Sequence, residues 1–425
     1  MNKKNIAIIG LGYVGLPLAI SFVKKNFNVF GYDIDKSKIK ELKNCHDRTN
    51  EIEKKSLKNL RKINFVSRIN YLKKCNIFII TVPTPVDKNN IPDLRSLIDA
   101  TNLVSRCIKP LDLVVYESTV YPGTTTEICG NILEKKTNLK ISNNTLSKKE
   151  KNLFYLGYSP ERINPGDRVH NLQNVCKLVS ASSEAGVKLV KDLYKKICKN
   201  IHICSSIEIA ESAKIIENTQ RDLNIALINE LQMIFEKMNI NIYDVLDAAK
   251  TKWNFLNFQP GLVGGHCIGV DPYYLTYKAK KIGHKPKLIL AGRYINDEMP
   301  NYFKKKILNL IKKKFNKKVN LLFMGLTFKE NCNDLRNSKN LELCSLLSKD
   351  FLVDAYDPNM RMNNFKKIEK KINFINKIKK KYDVIIIALP HNNFIKMGFN
   401  NIKKLLKKNG IIFDLKNTFG KFFIS

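Results

Sequence analysis

The chain has 425 residues, 44% of them hydrophobic, with 74 Lys and Arg against 38 Asp and Glu, for a formal net charge of +36. That length allows two or three domains, and no apolar run reaches the ~18 residues of a membrane span. Ten cysteines stand without a CxxC pair or a Cys/His cluster, which speaks against zinc or another metal and against a disulfide scaffold, and fits a reducing cytoplasm. Met1–Lys4 runs straight into the first strand, so no signal peptide is expected. The lysines are spread along the whole chain and accompany Asn and Ile, as in Lys366–Lys381 and Asn400–Asn409. The charge therefore reads as the codon bias of an AT-rich genome and not as a nucleic-acid footprint, though an anionic substrate would benefit from the field.

Asn5–Ile9 is a short apolar run of strand type, followed at once by Gly10-Leu11-Gly12-Tyr13-Val14-Gly15 and the apolar helix pattern Leu16–Val23. A second strand, Asn28–Tyr32, ends in Asp33, 18 residues past the last glycine of the motif. Strand, GxGxxG, helix, strand and acid in this order form a dinucleotide-binding fingerprint. The glycines bring a pyrophosphate to the helix N-terminus, and Asp33 would accept from a ribose 2′-OH and repel a 2′-phosphate, so NAD is expected over NADP.

Further strands are expected at Asn76–Val82, ending in Pro83-Thr84-Pro85, and at Asp112–Tyr116, ending in Glu117-Ser118-Thr119. Ligand contacts in an open parallel sheet come from such carboxyl ends, which singles out Thr84, Ser118 and Thr119. Asn138–Lys151 reads as a surface excursion. Phe154–Tyr158 leads into Ser159-Pro160-Glu161-Arg162-Ile163-Asn164-Pro165-Gly166, where Glu161 is either a general base or a turn residue. This domain is expected to close near Cys204. Ile207–Asn239 has neither Gly nor Pro and reads as one long, largely buried helix. Lys214 and Asn218, four apart, share a face of it and would suit stabilisation of an oxyanion.

Gly264-Gly265-His266-Cys267-Ile268-Gly269-Val270-Asp271 sets one cysteine in a glycine-rich turn with a carboxylate four residues on. An exposed thiolate in a polar site is a strong nucleophile, and the glycines would let a substrate approach the sulfur. From the octapeptide alone, a structural cysteine in a tight turn is an equal reading. Tyr302–Lys314 reads as a connecting helix. The βα pattern then restarts at Val319–Met324, followed by Gly325-Leu326-Thr327-Phe328-Lys329, with strands at Phe351–Tyr356, Asp383–Ala388 and Ile411–Asp414. Their loops carry Asp357-Pro358, Pro390-His391 and Lys416-Asn417. No internal repeat is visible beyond this shared α/β pattern.

Seven motifs in order carry a resemblance: Gly10–Ala19, Val82–Pro85, Glu117–Thr125, Tyr158–Asp167, Ala213–Glu230, Gly264–Leu275 and Gly325–Ser338. With them the chain resembles the UDP-glucose/GDP-mannose dehydrogenase family nearly end to end, and most closely its branch acting on UDP-N-acetylhexosamines (UDP-GlcNAc or UDP-GalNAc) in capsule or O-antigen synthesis. UDP-glucose and UDP-N-acetylmannosamine enzymes are the near alternatives. The resemblance implies two Rossmann-like doubly wound α/β domains joined by a long central helix. The domains would span residues 1–205, 206–300 and 301–425, in a cytoplasmic bacterial homodimer or higher oligomer.

It also implies NAD-dependent, two-step oxidation through a thiohemiacetal and a thioester on Cys267. Lys214 and Asn218 would stabilise the oxyanion, Asp271 and Thr119 would hold the water, and Glu161 would act as general base. Cofactor contacts would come from Gly10, Gly12, Tyr13, Val14, Gly15, Asp33, Lys38, Thr84, Ser118, Thr119 and Arg336. Substrate contacts would come from Glu161, Arg162, Lys214, Asn218, Phe258, Gly264 and Lys329. An arginine that related enzymes supply from the partner subunit has no counterpart in Lys250–Phe258.

Overall fold

Residues that lie in the middle of a parallel sheet are apolar on both faces, because helices cover both. The run Asn5–Ile9 forms such a strand, β1, buried after its first residue. The computed structural model describes residues 4–49, 52, 54–145, 150–162, 172, 174–360, 372–420 and 423–424. They divide into two units, Met1–Glu217 with Tyr273–Lys285, and Asn218–Pro272 with Pro286–Ser425.

The first unit adds β2 (Asn28–Tyr32), β3 (Asn64–Val66), β4 (Ile77–Ile80), β5 (Leu113–Tyr116), β6 (Lys140–Ile141), β7 (Leu153–Tyr158), β8 (Lys177–Ala181) and β9 (Ile201–Ile203). The order is β3-β2-β1-β4-β5-β7-β8-β9, with β6 beside β7. Pairing is parallel except between β7 and β8. The order reverses between β1 and β4, the switch point at which ligands of such sheets bind. Ile6 and Ile8 face a core shared with α1 (Gly15–Val23). Helix α2 (Lys36–Lys43) adds Ile39 and Leu42 to that core, and Ala7 and Ile9 face the core on the other side with α3 (Arg95–Ser105) and α4 (Asn131–Thr137). The alternation is the period of two of a strand. Helix α5 (Glu184–Tyr194) packs on the α1 side.

Helix α6 (Ile207–Lys237) is the expected long helix. Its burial is less than expected, since Ile209, Ile216, Leu227 and Ile234 are 49%, 54%, 53% and 47% exposed. It is followed by α7 (Ile242–Ala249), α8 (Asp271–Lys281) and α9 (Lys287–Lys314). The last begins well before the connector expected at Tyr302 and runs through Pro300. An interior proline costs a helix about 3 kcal/mol. Here Gly292, Arg293, Asn296, Met299, Pro300, Phe303 and Ile307 keep one buried face at spacings of three and four, and that packing outweighs the cost.

The second unit carries β10 (Asn320–Met324), α10 (Lys339–Ser348), β11 (Leu352–Tyr356), β12 (Ile372–Phe374), β13 (Tyr382–Ile387), β14 (Leu406–Asp414) and β15 (Phe423–Ile424). Their order is β12-β11-β10-β13-β14-β15, parallel except for the last pair. Both units are thus doubly wound α/β structures built around a parallel sheet. Among the described residues no helix is long and apolar enough to cross a membrane, and no group of three His, Cys, Asp or Glu could hold a metal.

Candidate active site

In the first unit, Gly10 ends β1 with φ +97°, a backbone state other residues rarely adopt, and its N–H donates to Tyr32 O at 2.8 Å. A Cβ on Gly15 would fall 1.9 Å from Gly10 O, so only glycine lets α1 pack this closely on the turn. A Cβ on Gly12 would meet nothing within 4 Å. The half-buried Tyr13 and Val14 complete the turn. Asp33 is buried; its Oδ2 accepts from Leu11 N at 2.9 Å and Lys38 Nζ at 2.7 Å, and its Oδ1 from Asp35 N at 3.0 Å. A tight first glycine, an open second and a close-packed third, with an acid at the next strand end, fit a dinucleotide.

The neighbouring loops are tied to each other. Thr84 Oγ1 donates to Thr119 O at 2.6 Å and Ser118 Oγ to Val82 O at 2.7 Å, leaving their oxygens as acceptors. Glu211 on α6 accepts from Gly123 N at 2.6 Å and Thr125 N at 2.9 Å, and burial pushes its carboxyl up to about 7. After β7, Arg162 pairs with Glu217 at 2.5 Å and donates to Cys176 O at 3.0 Å, while its N–H meets Glu161 Oε1 at 2.6 Å. Ile163–Asp167 of the same motif lie outside the described residues. Lys214 stands half-buried on α6, one turn before Asn218.

In the second unit, Cys267 is half-buried, and its carbonyl accepts from Val270 N at 3.0 Å and Asp271 N at 2.8 Å, which makes the turn into α8. Asp271 is 1% exposed, and its Oδ2 accepts from Asn218 Nδ2 at 2.6 Å. Asn218 therefore orients the carboxylate four residues after the cysteine, a link its spacing from Lys214 did not suggest. The two glycines answer to packing within this unit: a Cβ on Gly264 would lie 2.5 Å from Asn337 O, and one on Gly265 (φ +86°) 2.6 Å from the Phe328 ring. Thus the segment Gly325–Ser338 presses on the cysteine turn.

Arg336 chelates Asp334 and reaches His266 Nε2 at 2.9 Å. Burial, then Arg336, lowers the His266 pKa, so the ring is neutral at pH 7. Lys329 is half-buried beside Phe328. Phe258 packs against Ile228, Ile242, Tyr243 and Leu246, an apolar contact of the helices. Burial pushes the thiols of Cys75, Cys129 and Cys198 up to about 12 and that of Cys107 to about 11, which makes them inert at neutral pH.

Three domain descriptions of one family match this chain in order: the NAD binding domain over residues 4–198, the central domain over 208–298 and the UDP binding domain over 322–421. Protein CapL of Staphylococcus aureus is 48% identical over 98% of this chain and 96% of its own. The chain belongs to the UDP-glucose/GDP-mannose dehydrogenase family. A UDP-N-acetyl-D-glucosamine 6-dehydrogenase of Pseudomonas aeruginosa is 45% identical over 98% of this chain and 97% of its own. The solved UDP-D-ManNAc dehydrogenase of Pyrococcus horikoshii superposes with a TM-score of 0.84 at 32% identity, over 97% of this chain and 96% of that one. The protein is an NAD-dependent UDP-sugar dehydrogenase.

One feature of this dehydrogenase escaped the sequence reading. Asp222 on α6, fully buried, accepts from Arg293 at 2.6 Å and Asn296 at 2.7 Å, both on α9. Asn229 bridges Asn296 and both backbone groups of Gly261, six residues before Cys267. Charged residues amid apolar helix faces were the available signal, because a buried charge needs a partner.

Proposed function

We propose that this dehydrogenase oxidises the 6-hydroxyl of a UDP-N-acetylhexosamine, UDP-GlcNAc or UDP-GalNAc, to the uronate for a surface polysaccharide. The observation that carries the sugar is the 45% identity, across nearly the whole chain, to a UDP-N-acetyl-D-glucosamine 6-dehydrogenase, against 32% to the mannosamine enzyme. Gly10, Gly12, Tyr13, Val14, Gly15, Asp33, Lys38, Thr84, Ser118, Thr119 and Arg336 hold NAD. NAD held by these residues would supply the hydride acceptor for the oxidation at carbon six. Glu161, Arg162, Phe258, Gly264 and Lys329 hold the sugar nucleotide.

The alcohol loses a proton and a hydride to give the aldehyde. The Cys267 thiolate adds to that carbonyl, and the new alkoxide takes a proton to give a thiohemiacetal. Loss of that proton and a second hydride leaves a thioester. Lys214 and Asn218 stabilise the negative oxygen at each stage. Asp271 and Thr119 hold the water that Glu161 deprotonates. Its attack breaks the C–S bond, releasing the carboxylate and restoring the thiol. Covalent capture keeps the aldehyde from escaping between oxidations.

A panel of UDP-sugars assayed for NADH formation tests the sugar. Faster kcat/KM with UDP-N-acetylmannosamine or UDP-glucose would overturn it. Cys267→Ala should abolish uronate formation and leave at most the aldehyde. The exposed apolar positions Ile209, Ile216, Leu227 and Ile234 along α6 support a homodimer through this helix, working in the cytoplasm. Light scattering of the purified protein at the mass of one chain would exclude that assembly.

A further inference from the structure

Behind the loops that carry Thr119 and Glu161 lies a charged cluster that no step above uses. Lys177 opens β8 with its side chain 3% exposed, and Glu117, directly after β5, is 0% exposed. Either ion alone would be very costly there. Together the set is complete. Lys177 Nζ donates to Glu117 Oε2 at 2.6 Å and to the Pro160 carbonyl at 3.1 Å, and sits 5.0 Å from the centre of the Tyr194 ring. Glu117 Oε1 accepts from the Tyr194 hydroxyl. Burial works against the ammonium, but Glu117 and then Glu161 outweigh it and raise its pKa, so Lys177 is a cation at neutral pH.

The two ends of this cluster are the starts of two functional loops. Glu117 stands two residues before Thr119, and Pro160 one residue before Glu161. Both loops leave the sheet here: Glu117 N still bonds Ile80 O and Ser159 N still bonds Tyr116 O, each at 2.9 Å. Proline has no N–H to tie its own loop down, and its carbonyl accepts a hydrogen bond from Lys177 instead. A purely structural core would be served as well by apolar side chains of the same volume. Charges fixed at these points do something apolar groups cannot: they set a direction and a distance between two loops. We propose that Glu117, Lys177 and Tyr194 are positioning residues that hold Glu161 in register with Thr119 for the addition of water to the thioester. This rests on the mechanism proposed above.

Two variants test it. Tyr194→Phe removes one hydrogen bond from Glu117 and keeps the ring beside Lys177, whereas Lys177→Met removes the charge. The measurements are thermal unfolding, KM for UDP-sugar and NAD, kcat, and the mass of the intact protein during turnover. Tyr194→Phe should raise neither KM, lower kcat about tenfold, and accumulate on Cys267 an acyl adduct that hydroxylamine removes. Lys177→Met should do the same more strongly. Should it fail to fold, Tyr194→Phe alone decides. In a Glu161→Gln background, Tyr194→Phe should lower kcat no further, because its effect runs through Glu161. A lowered melting temperature with unchanged kcat, a kcat loss without the adduct, or a multiplicative loss in the double variant would each overturn the positioning role. Failure of the unaltered enzyme to form uronate would bring down the proposed reaction itself, and with it this inference, before any variant is made.

Discussion

Two turns of this molecule share one backbone design and differ in what fills it. In the first unit Gly10 (φ +97°) ends β1 and donates to Tyr32 O at 2.8 Å, Leu11 N donates to Asp33 Oδ2 at 2.9 Å, and Asp35 N to Oδ1 at 3.0 Å. In the second unit Gly325 (φ +95°) ends β10 and donates to Tyr356 O at 2.9 Å, Leu326 N donates to Asp357 Oδ2 at 2.7 Å, and Asn359 N to Oδ1 at 2.9 Å. Gly-Leu and Tyr-Asp recur as the same constellation, an internal repeat the sequence reading did not find. What meets the acid differs. Lys38, 21% exposed, reaches Asp33 from solvent. His391, 0% exposed, seals Asp357 at 3.1 Å from inside. Asn331 N donates to His391 Nδ1 at 2.9 Å, so its Nε2 carries the proton that Asp357 accepts. The first turn leaves space over Gly12, while the second has Thr327-Phe328-Lys329 in place of further glycines. Ligand choice therefore lies in side-chain fill, and the shared backbone does not decide it.

The sharpest way to break the first turn is Gly15→Ala. The new Cβ would fall 1.9 Å from Gly10 O, a strain of about 1–3 kcal/mol. Calorimetry should show NAD binding weakened by about 5–150-fold or lost. Gly325→Ala, strained by its positive φ at about 1–2 kcal/mol, should lower the melting temperature and leave the NAD Kd unchanged. Equal effects of both on NAD would erase the distinction.

Next in size, His391→Ala leaves Asp357 buried with its backbone donors but without the imidazole N–H. The expected loss is about 1–3 kcal/mol, read from denaturant midpoints with NAD affinity retained. Burial works against the Asp357 carboxylate, but the His391 N–H and the backbone amides outweigh it and hold its pKa below the usual range. A lowered native pKa means stability that is present above the unfolded pKa, near ~4, and is lost as pH falls toward the native one. Asp357→Asn should accordingly be less stable than the unaltered protein at pH 7, with the gap closing below about pH 4. A gap independent of pH would mean the charge is not what matters.

The smallest effect is expected of Lys38→Ala. A partly exposed pair contributes about 1 kcal/mol or less, so the melting temperature should barely move. Asp33 would then meet a 2′-phosphate without a neighbouring cation, and the kcat/KM ratio of NAD to NADP should rise. A fall in that ratio would show that what Lys38 contributes to holding NAD outweighs what it would contribute toward a 2′-phosphate.

Strand β1, its glycine turn, α1, β2 and Asp33 were legible residue by residue, because apolar period, turn chemistry and the reach of a carboxylate two strands' length away are all short-range properties of the chain. The cysteine turn was legible as a turn for the same reason. Its environment was not: that Asn218 holds Asp271, and that Phe328 and Asn337 press on Gly264 and Gly265, depends on residues 53 to 73 positions apart meeting in space. Lys177 looked like one lysine among 74 Lys and Arg, and Asp222 and Arg293 like ordinary polar positions on two helices. Only folding removed their water, and a buried charge then exists only opposite its partner. Local pattern thus settled which segments are strands, turns and helices, while the tertiary structure decided which side chains share a dielectric, and with that which of them are held, paired or left to react.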